Sequence, residues 1–316
     1  MVYVVILNWK GAADTIACVK SVLASEGQNY KIVVCDNASP DSSYDVILNE
    51  LTSYVQDKSI SIVELSKLEA EKQQSSFVDN RLVLIQTGQN YGYAGGNNIG
   101  IRYSLNQQDC EYIWILNNDT EVDPSAMVEM VKKFVDPLVG FCGSRLVYYH
   151  DRNKLQGLGG VYNPWLGTTS HYFAHADSAQ VFDDEEVTRA VSYPIGASIM
   201  FRRDFFDRVG LLSEAYFLYY EELDITARAK SIYKFSIATN SKVYHKEGAS
   251  TNAGKSLTSS YYSLRSRLIF SRKYYHAYYP FVKLSYIFVM LNAIFNANYR
   301  KAFIAIRFLF SREGNR

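Results

Sequence analysis

The chain has 316 residues, 48% of them hydrophobic, with a net charge of +1; that apolar content can bury a full core and excludes intrinsic disorder. The charge is uneven, because from Tyr261 onward ten Lys or Arg face one acid, Glu313, a tail of +9 that leaves −8 for residues 1–260. One large α/β domain with an appendage fits this length, the basic tail calls for an anionic partner, and no nucleic acid is expected. The four cysteines, Cys18, Cys35, Cys110 and Cys142, show no CxxC or Cys/His spacing and read as small buried hydrophobes in a reducing compartment. The opening MVYVVILNWKG has no basic segment and its apolar run is short, so it reads as a first strand rather than a signal peptide, and a cytoplasmic body is expected.

In chain order, Val2–Leu7 is a continuous β-branched run, as expected of a buried parallel strand. A helix is predicted from about Asp14 to Ser25, then a strand over Ile32–Cys35 closed by the turn Asp36–Asp41. Asp45–Val55 reads as a helix, Ile60–Leu65 as a strand, and the polar stretch Lys67–Asn80 as an exposed insertion. Leu82–Gln86 is a further strand, followed by a Gly/Asn-rich turn, a helix to about Leu105 and the strand Tyr112–Leu116. Strands alternating with helices imply a Rossmann-like, mainly parallel sheet flanked by helices. Residues 139–200, rich in Gly, Tyr and His, read as strands and loops over an acceptor site.

In such sheets ligands bind at the carboxyl ends of the strands, where three polar clusters fall. Asp36 in Asp-Asn-Ala-Ser-Pro-Asp can accept hydrogen bonds from a base or ribose, or simply form an Asx turn into a helix. In the run Asn90–Gly100, Gly92, Gly95 and Gly96 let the backbone approach a ligand, and Asn97 and Asn98 stand at a predicted helix start with outward amides. Asn117-Asn118-Asp119, directly after YIWIL, offers a carboxylate and two amides to a divalent cation, or makes a solvated turn. Further on, Glu221, Glu222 and Asp224 follow four aromatics. Crowded, desolvated carboxylates acquire the raised pKa of a general base, although an acidic helix start has the same pattern. Asp224 and Arg228 form an i,i+4 pair. His245, after the strand-like Lys242–Tyr244, is a lone histidine whose meaning depends on its neighbours.

The order of these motifs resembles the family 2 glycosyltransferases of the GT-A fold, in particular the branch called rhamnosyltransferase-like. The resemblance runs over about residues 2–270 through VVILNWKG, DNASPD, NYGYAGGNNIG, ILNNDTEVDP, GASIMFRRDFFDRVG, YFLYYEELDITAR and YHKEGAST. It implies that Asp36 reads the donor's base with Asn8 and Asn37 beside it, and that Asn90, Gly92, Gly96 and Asn97 surround the nucleotide and donor sugar. Asn117-Asn118-Asp119 takes the DxD position, with Asp119 and His245 on a Mg²⁺ or Mn²⁺ ion and Asn117 in place of the usual first Asp. Glu222 inherits the role of base from the family's Asp, flanked by Glu221, with Asp224 and Arg228 in the following positions. The implied reaction is single displacement with inversion from a nucleotide-sugar donor, dTDP-rhamnose or a UDP-sugar. The implied acceptor is a glycan or polyprenyl-linked glycan in bacterial surface polysaccharide (O-antigen) synthesis. No QxxRW motif accompanies Trp9, Trp114 or Trp165, so one sugar per encounter is expected. Alternatives are a sugar-nucleotide nucleotidyltransferase, which lacks its GxGxR-type loop here, and an inactive nucleotide- or carbohydrate-binding homologue.

On this reading residues 1–260 form the catalytic domain, with a nucleotide half to about 120 and an acceptor half over 121–260. Residues 261–316 form a helical tail that lies on the inner face of an anionic plasma membrane and is separable from about Tyr274. Packing on the body or a homodimer interface is the alternative for the tail. The stretch over 280–295 is interrupted by Lys283 and Asn292 and favours an interfacial helix over a spanning one.

Overall fold

The computed structural model describes residues 1–27, 29–58, 60–72, 81–246 and 256–311. The first half alternates strands and helices: β1 (Val2–Asn8), α1 (Ala12–Leu23), β2 (Tyr30–Asp36), α2 (Ser43–Val55), β3 (Ile62–Ser66), α3 (Lys67–Glu71), β4 (Leu82–Gln86), α4 (Gly92–Leu105) and β5 (Tyr112–Asn117). Then come β6 (Thr120–Val122), α5 (Ala126–Val131), β7 (Val139–Tyr148), β8 (Leu155–Gly157), β9 (Gly160–Asn163), β10 (Thr168–His171), α6 (Asp184–Ala190) and β11 (Ser198–Arg202). The chain continues through α7 (Arg203–Val209), α8 (Glu221–Ala229) and β12 (Lys234–His245) to the helices α9 (Leu257–Tyr274), α10 (Tyr279–Phe295) and α11 (Tyr299–Phe310).

One sheet runs β3-β4-β2-β1-β5-β11-β7-β12-β6, with β8 beside β7 and a separate β9–β10 hairpin. The first five strands are parallel; β11 is antiparallel to both neighbours, and β6 is antiparallel to β12. The apolar runs of β1, β2, β4 and β5 are unbroken because both faces are covered. Val4, Ile6, Ile32 and Trp114 join the core under α1 and α5, while Tyr3, Val5, Val33 and Ile113 join the opposite core under α4 and α7. Register places Asn8 opposite Asp36 and Leu7 opposite Asn117, so the polar strand ends form one row along the sheet's upper edge.

Two expectations change here. Helix α4 begins at Gly92, so the Gly/Asn-rich run is helix rather than turn. A Cβ at Gly96 would stand 2.5 Å from Leu7 Cδ1, and one at Gly100 2.6 Å from Val5 Cγ1, so these glycines let α4 lie close on β1. The stretch after β3 is not all exposed insertion: α3 is closed by a Ser66–Glu69 capping box and buries Ala70, while residues 73–80 lie outside the described residues.

Candidate active site

At the end of β1, Asn8 is fully buried and its amide joins the loops after β1 and β2 to helix α1. Its Nδ2 donates to Asp36 Oδ2 (2.6 Å) and Ser39 Oγ (3.2 Å), and its Oδ1 accepts from Thr15 Oγ1 (2.8 Å) and Gly11 N (3.2 Å). Asp36 also accepts from Ser39 N (2.9 Å) and Ser39 Oγ (2.7 Å), which is the Asx turn. Three of the roughly four acceptor positions of its carboxylate are thus taken. Asn37 donates to Asn90 Oδ1 and the Gly92 carbonyl, both at 3.0 Å, and accepts from Tyr91 N (3.0 Å). Asn37 and Asn90 therefore bind the β2 loop to the start of α4.

Gly96, Asn97 and Asn98 do not line an open loop. Gly96 packs on Leu7, and Asn98 is buried on the Leu212 carbonyl (3.0 Å) and Glu214 (2.9 Å). Asn97 donates to the Tyr93 carbonyl one turn back (3.0 Å), and its buried Oδ1 has no partner. The outward amides expected of this pair are turned into the protein, because the helix starts five residues earlier than the sequence pattern indicates.

Tyr93, one turn before Asn97, is a residue the sequence reading passed over. Its hydroxyl lies 3.1 Å from Asn117 Oδ1 and 2.9 Å from the Gly196 carbonyl, which turns the Asn117 amide nitrogen away from Tyr93. Asn117 N donates to the Ala197 carbonyl (2.9 Å), and a Cβ at Gly196 would stand 3.5 Å from Glu222 Cδ. The segment Gly196–Ala197 thereby joins the DxD position to the carboxylates of α8. Asn118 is buried and donates to Thr15 Oγ1 (3.0 Å), so it supports the α1 side of the turn.

Asp119 and His245 are brought together by the pairing of β6 with β12, which sets His245 opposite Thr120. His245 Nε2 lies 3.2 Å from Asp119 Oδ1, and His245 Nδ1 lies 2.8 Å from Oε1 of the buried Gln156 on β8. With Gln156 accepting from Nδ1–H, the Nε2 lone pair faces a carboxylate oxygen, and two acceptors at that distance need a cation or a proton between them. The pair therefore fits a divalent cation with one imidazole and one carboxylate donor. Among the described residues no group of three or more His, Cys, Asp or Glu could hold a metal. Gln156 had no signal in the sequence. The rest of the YHKEGAST motif after Lys246 lies outside the described residues.

Helix α8 carries the carboxylates. Tyr219 and Tyr220 precede it with φ of 69° and 73°, two successive left-handed non-glycine residues of the kind that concentrate at functional sites. Burial pushes the Glu222 carboxyl up to about 7. Glu221 is raised well above the ordinary carboxylate range, by burial first and by the charge of Glu222 second, and its Oε1 has no partner. Asp224 and Arg228 belong elsewhere. Asp224 is fully buried and takes Arg228 Nε (2.7 Å), Lys273 Nζ (2.8 Å) and the Tyr274 hydroxyl (2.8 Å). Burial alone would raise its pKa, but these bonds hold it low. Arg228 spends its other nitrogens on the Val209 and Leu211 carbonyls at 2.7 and 2.8 Å. The partners of both are structural rather than those of a catalytic or donor-binding group: Asp224 fastens α9 to α8, and Arg228 ties α8 to the end of α7. The boundary at 260/261 accordingly falls inside α9, whose Phe270 packs with Tyr216, Tyr220 and Leu223.

Polar strand ends thus line one edge of a mainly parallel sheet, with Asn117 and Glu222 on the two sides of Gly196–Ala197 and Asp119 beside His245, as expected of a GT-A architecture. Residues 66–210 match the model of the family described as glycosyl transferase family 2. Over 147 residues the chain is 28% identical to the low-salt glycan biosynthesis hexosyltransferase Agl10 of Haloferax volcanii, covering 46% of this chain and 45% of that one. The chain thus matches about half the length of this curated relative. The crystal structure of GalNAc-T7 with UDP, GalNAc and Mn²⁺ aligns with 99% of this chain and 56% of its own at a TM-score of 0.64 and 12% identity, a likeness of fold. The chain carries the GT-A fold, as the ordered motifs indicated, and its residues 66–210 are similar to family 2 glycosyltransferases.

Proposed function

We propose that this chain is a metal-dependent, inverting hexosyltransferase that moves one sugar from a nucleoside-diphosphate donor to a glycan hydroxyl. The observation that carries it is the shared Gly196–Ala197 segment, with Asn117 on one side and the raised carboxyl of Glu222 on the other. The hexosyltransferase named among the relatives supports the reaction class, and the neighbour crystallised with UDP and Mn²⁺ supports the donor and ion class. The nucleoside would lie over Asn8, Asp36 and Asn37, with a remaining acceptor position of Asp36 used by the base. Asn117, its oxygen held by Tyr93, would offer its amide nitrogen to an oxygen of the donor. Glu222, once ionised, takes the proton of the acceptor hydroxyl. The freed oxygen then bonds to the anomeric carbon from the side opposite the diphosphate, whose C–O bond breaks with inversion. A divalent cation held by Asp119 and His245 would, when bound, neutralise charge on the leaving diphosphate.

Within this reading the donor is dTDP-rhamnose or a UDP-sugar, and the acceptor is a glycan or polyprenyl-linked glycan of a surface polysaccharide. The C-terminal helices rest on the anionic inner face of the plasma membrane. Among the described residues no helix is long and apolar enough to cross a membrane, and the exposed aromatic and aliphatic side chains of α10 and α11 support an interfacial placement. The test is hydrolysis and transfer with a panel of UDP-, dTDP- and GDP-sugars, with and without Mn²⁺ or Mg²⁺. Metal-stimulated turnover of one donor is expected. Donor binding without turnover under any acceptor or ion would favour an inactive binding homologue.

A further inference from the structure

The apolar surface of the tail does not end with the tail. On α10, Phe281, Leu284, Phe288, Leu291 and Phe295 recur at alternating steps of three and four residues and are all exposed, Phe288 at 73% and Phe295 at 90%. On α11, Phe303 and Phe310 stand out at 69% and 79%. Single exposed apolar side chains are ordinary, but two helices with matching stripes are not. The loop between β9 and β10 continues this face from the acceptor half. Trp165 (54% exposed) stands edge-on to Tyr278 and Phe281, with ring centroids 4.9 and 5.0 Å away, and Leu166 beside it is 44% exposed.

This loop is seated rather than loose. Asn163 Oδ1 accepts from Trp165 N (3.0 Å) and Leu166 N (3.2 Å), and Gly167 N donates to the Asn163 carbonyl (2.7 Å). Gly167 has φ +68°, and a Cβ there would meet Ser271 Oγ at 2.9 Å and Val282 Cγ1 at 3.0 Å, so the loop sits between α9 and α10. The Gly167 carbonyl accepts from the Tyr220 hydroxyl (2.5 Å), and Tyr220 directly precedes Glu221 and Glu222. One loop and one hydrogen bond therefore separate the exposed indole from the helix that carries the proposed base.

The charge of the face decides what covers it. Residues 257–311 contain eight Lys or Arg and no Asp or Glu; Arg267 is buried and Lys273 pairs with Asp224, which leaves six for the surface. A second copy would bring the same excess against itself, whereas an anionic headgroup layer complements it. Tryptophan is also the side chain best suited to the boundary between headgroups and acyl chains. We propose that the Asn163–Gly167 loop is a membrane-inserting element, with Trp165 and Leu166 entering an anionic bilayer in line with the α10–α11 face. The proposal rests on the interfacial reading of the C-terminal helices. It adds that the acceptor side of the molecule meets the lipid directly, so that an acceptor hydroxyl reaches Glu222 near headgroup level.

The test uses the full chain carrying Trp9→Phe, which leaves Trp165 as the exposed indole because Trp114 is fully buried. With phosphatidylcholine–phosphatidylglycerol vesicles the emission should shift to the blue, and acyl-brominated lipid should quench it. In co-sedimentation Trp165→Ser should lower vesicle partitioning roughly tenfold, the scale of withdrawing one large aromatic from an apolar phase. A Phe288→Ser/Phe303→Ser variant reports on the tail independently and should lose binding. If the chain binds vesicles while Trp165 stays unquenched and Trp165→Ser partitions normally, the loop lies outside the lipid; the inference fails and the tail reading survives. If the chain binds no vesicles, or light scattering shows these surfaces consumed in a dimer, both fail.

Discussion

Glu222→Gln isolates the proposed base with little change of shape. In the folded protein burial raises this carboxyl from 4.5 to about 7, so ionising it there costs about 3 kcal/mol more than in an unfolded chain. Two consequences follow with defined signs. The base works only when ionised, so kcat of the wild type should rise with pH through a midpoint near 7 and flatten above it. The folded state binds the proton more tightly than the unfolded one. The stability contributed by Glu222 is therefore full below about 4.5 and is lost as pH rises toward 7. In Glu222→Gln, kcat should fall by about 10²–10⁴-fold, or roughly 3–5 kcal/mol of barrier, with the donor Kd nearly unchanged. The variant should also be the more stable protein at pH 8, with the difference shrinking toward pH 5. Glu221, raised in the same direction, keeps some pH dependence of stability, though not of kcat, in the variant. The assays are pH–rate profiles with a transferable donor, donor titration, and urea unfolding at two pH values. A limb near 7 that survives in Glu222→Gln, or a larger kcat loss in Glu221→Gln, refutes the assignment.

Asp119→Ala should nearly abolish metal-dependent transfer while circular dichroism and the melting transition stay close to wild type; retained metal-dependent turnover removes the DxD reading. Gln156→Leu should weaken Mn²⁺ binding about 10–100-fold by titration, because the ring of His245 loses the partner that fixes it; unchanged affinity would make Gln156 a packing residue. Asp224→Asn should destabilise the fold by about 3 kcal/mol in urea, near the low end for a broken buried pair because Lys273 is half exposed, without moving the pH–rate midpoint. A chain ending at His276 keeps Lys273 and Tyr274 on Asp224 and should retain donor binding while leaving vesicles, whereas one ending at Ser256 should lose donor binding as well. Equal behaviour of the two truncations would mean that α9 does not support the site.

The buried parallel strands were legible because each is an unbroken apolar run ending in polar residues, and those ends are where the candidate site lies. The start of α4 was misread for a physical reason: Gly and Asn are poor helix formers in isolation, yet the four-residue spacing of Gly96 and Gly100 is a packing device against Leu7 and Val5. The tail's charge was plain from composition, but its first helix was cut from the body because much of its buried face is serine, at Ser259, Ser260, Ser266 and Ser271. Small polar residues give no hydrophobic period, so the packing of α9 leaves little trace in the pattern. For the same reason the expected break at Tyr274 fell on a residue whose hydroxyl bonds Asp224. Gln156 shows the limit most clearly, since nothing local marks a glutamine 89 residues before the histidine it holds.

Glu222 and Asp224 sit two residues apart on one short helix and are driven in opposite directions. Asp224 points where α9 supplies an ammonium and a phenol and α8 its own guanidinium, so its charge is stabilised and its proton is lost early. Glu222 points toward Gly196 and Tyr193, and burial outweighs the backbone hydrogen bond that favours its charge. A pair of carboxylates whose surroundings separate their pKa values divides the work between anchoring and proton transfer. The basic tail is the part that makes this division, because Lys273 and Tyr274 both belong to it. If α10 and α11 lie on a membrane, the helix that precedes them holds the proposed base at a fixed height above that surface. The positive charge of this chain would then serve twice, in attraction to the lipid and in keeping α8 in place.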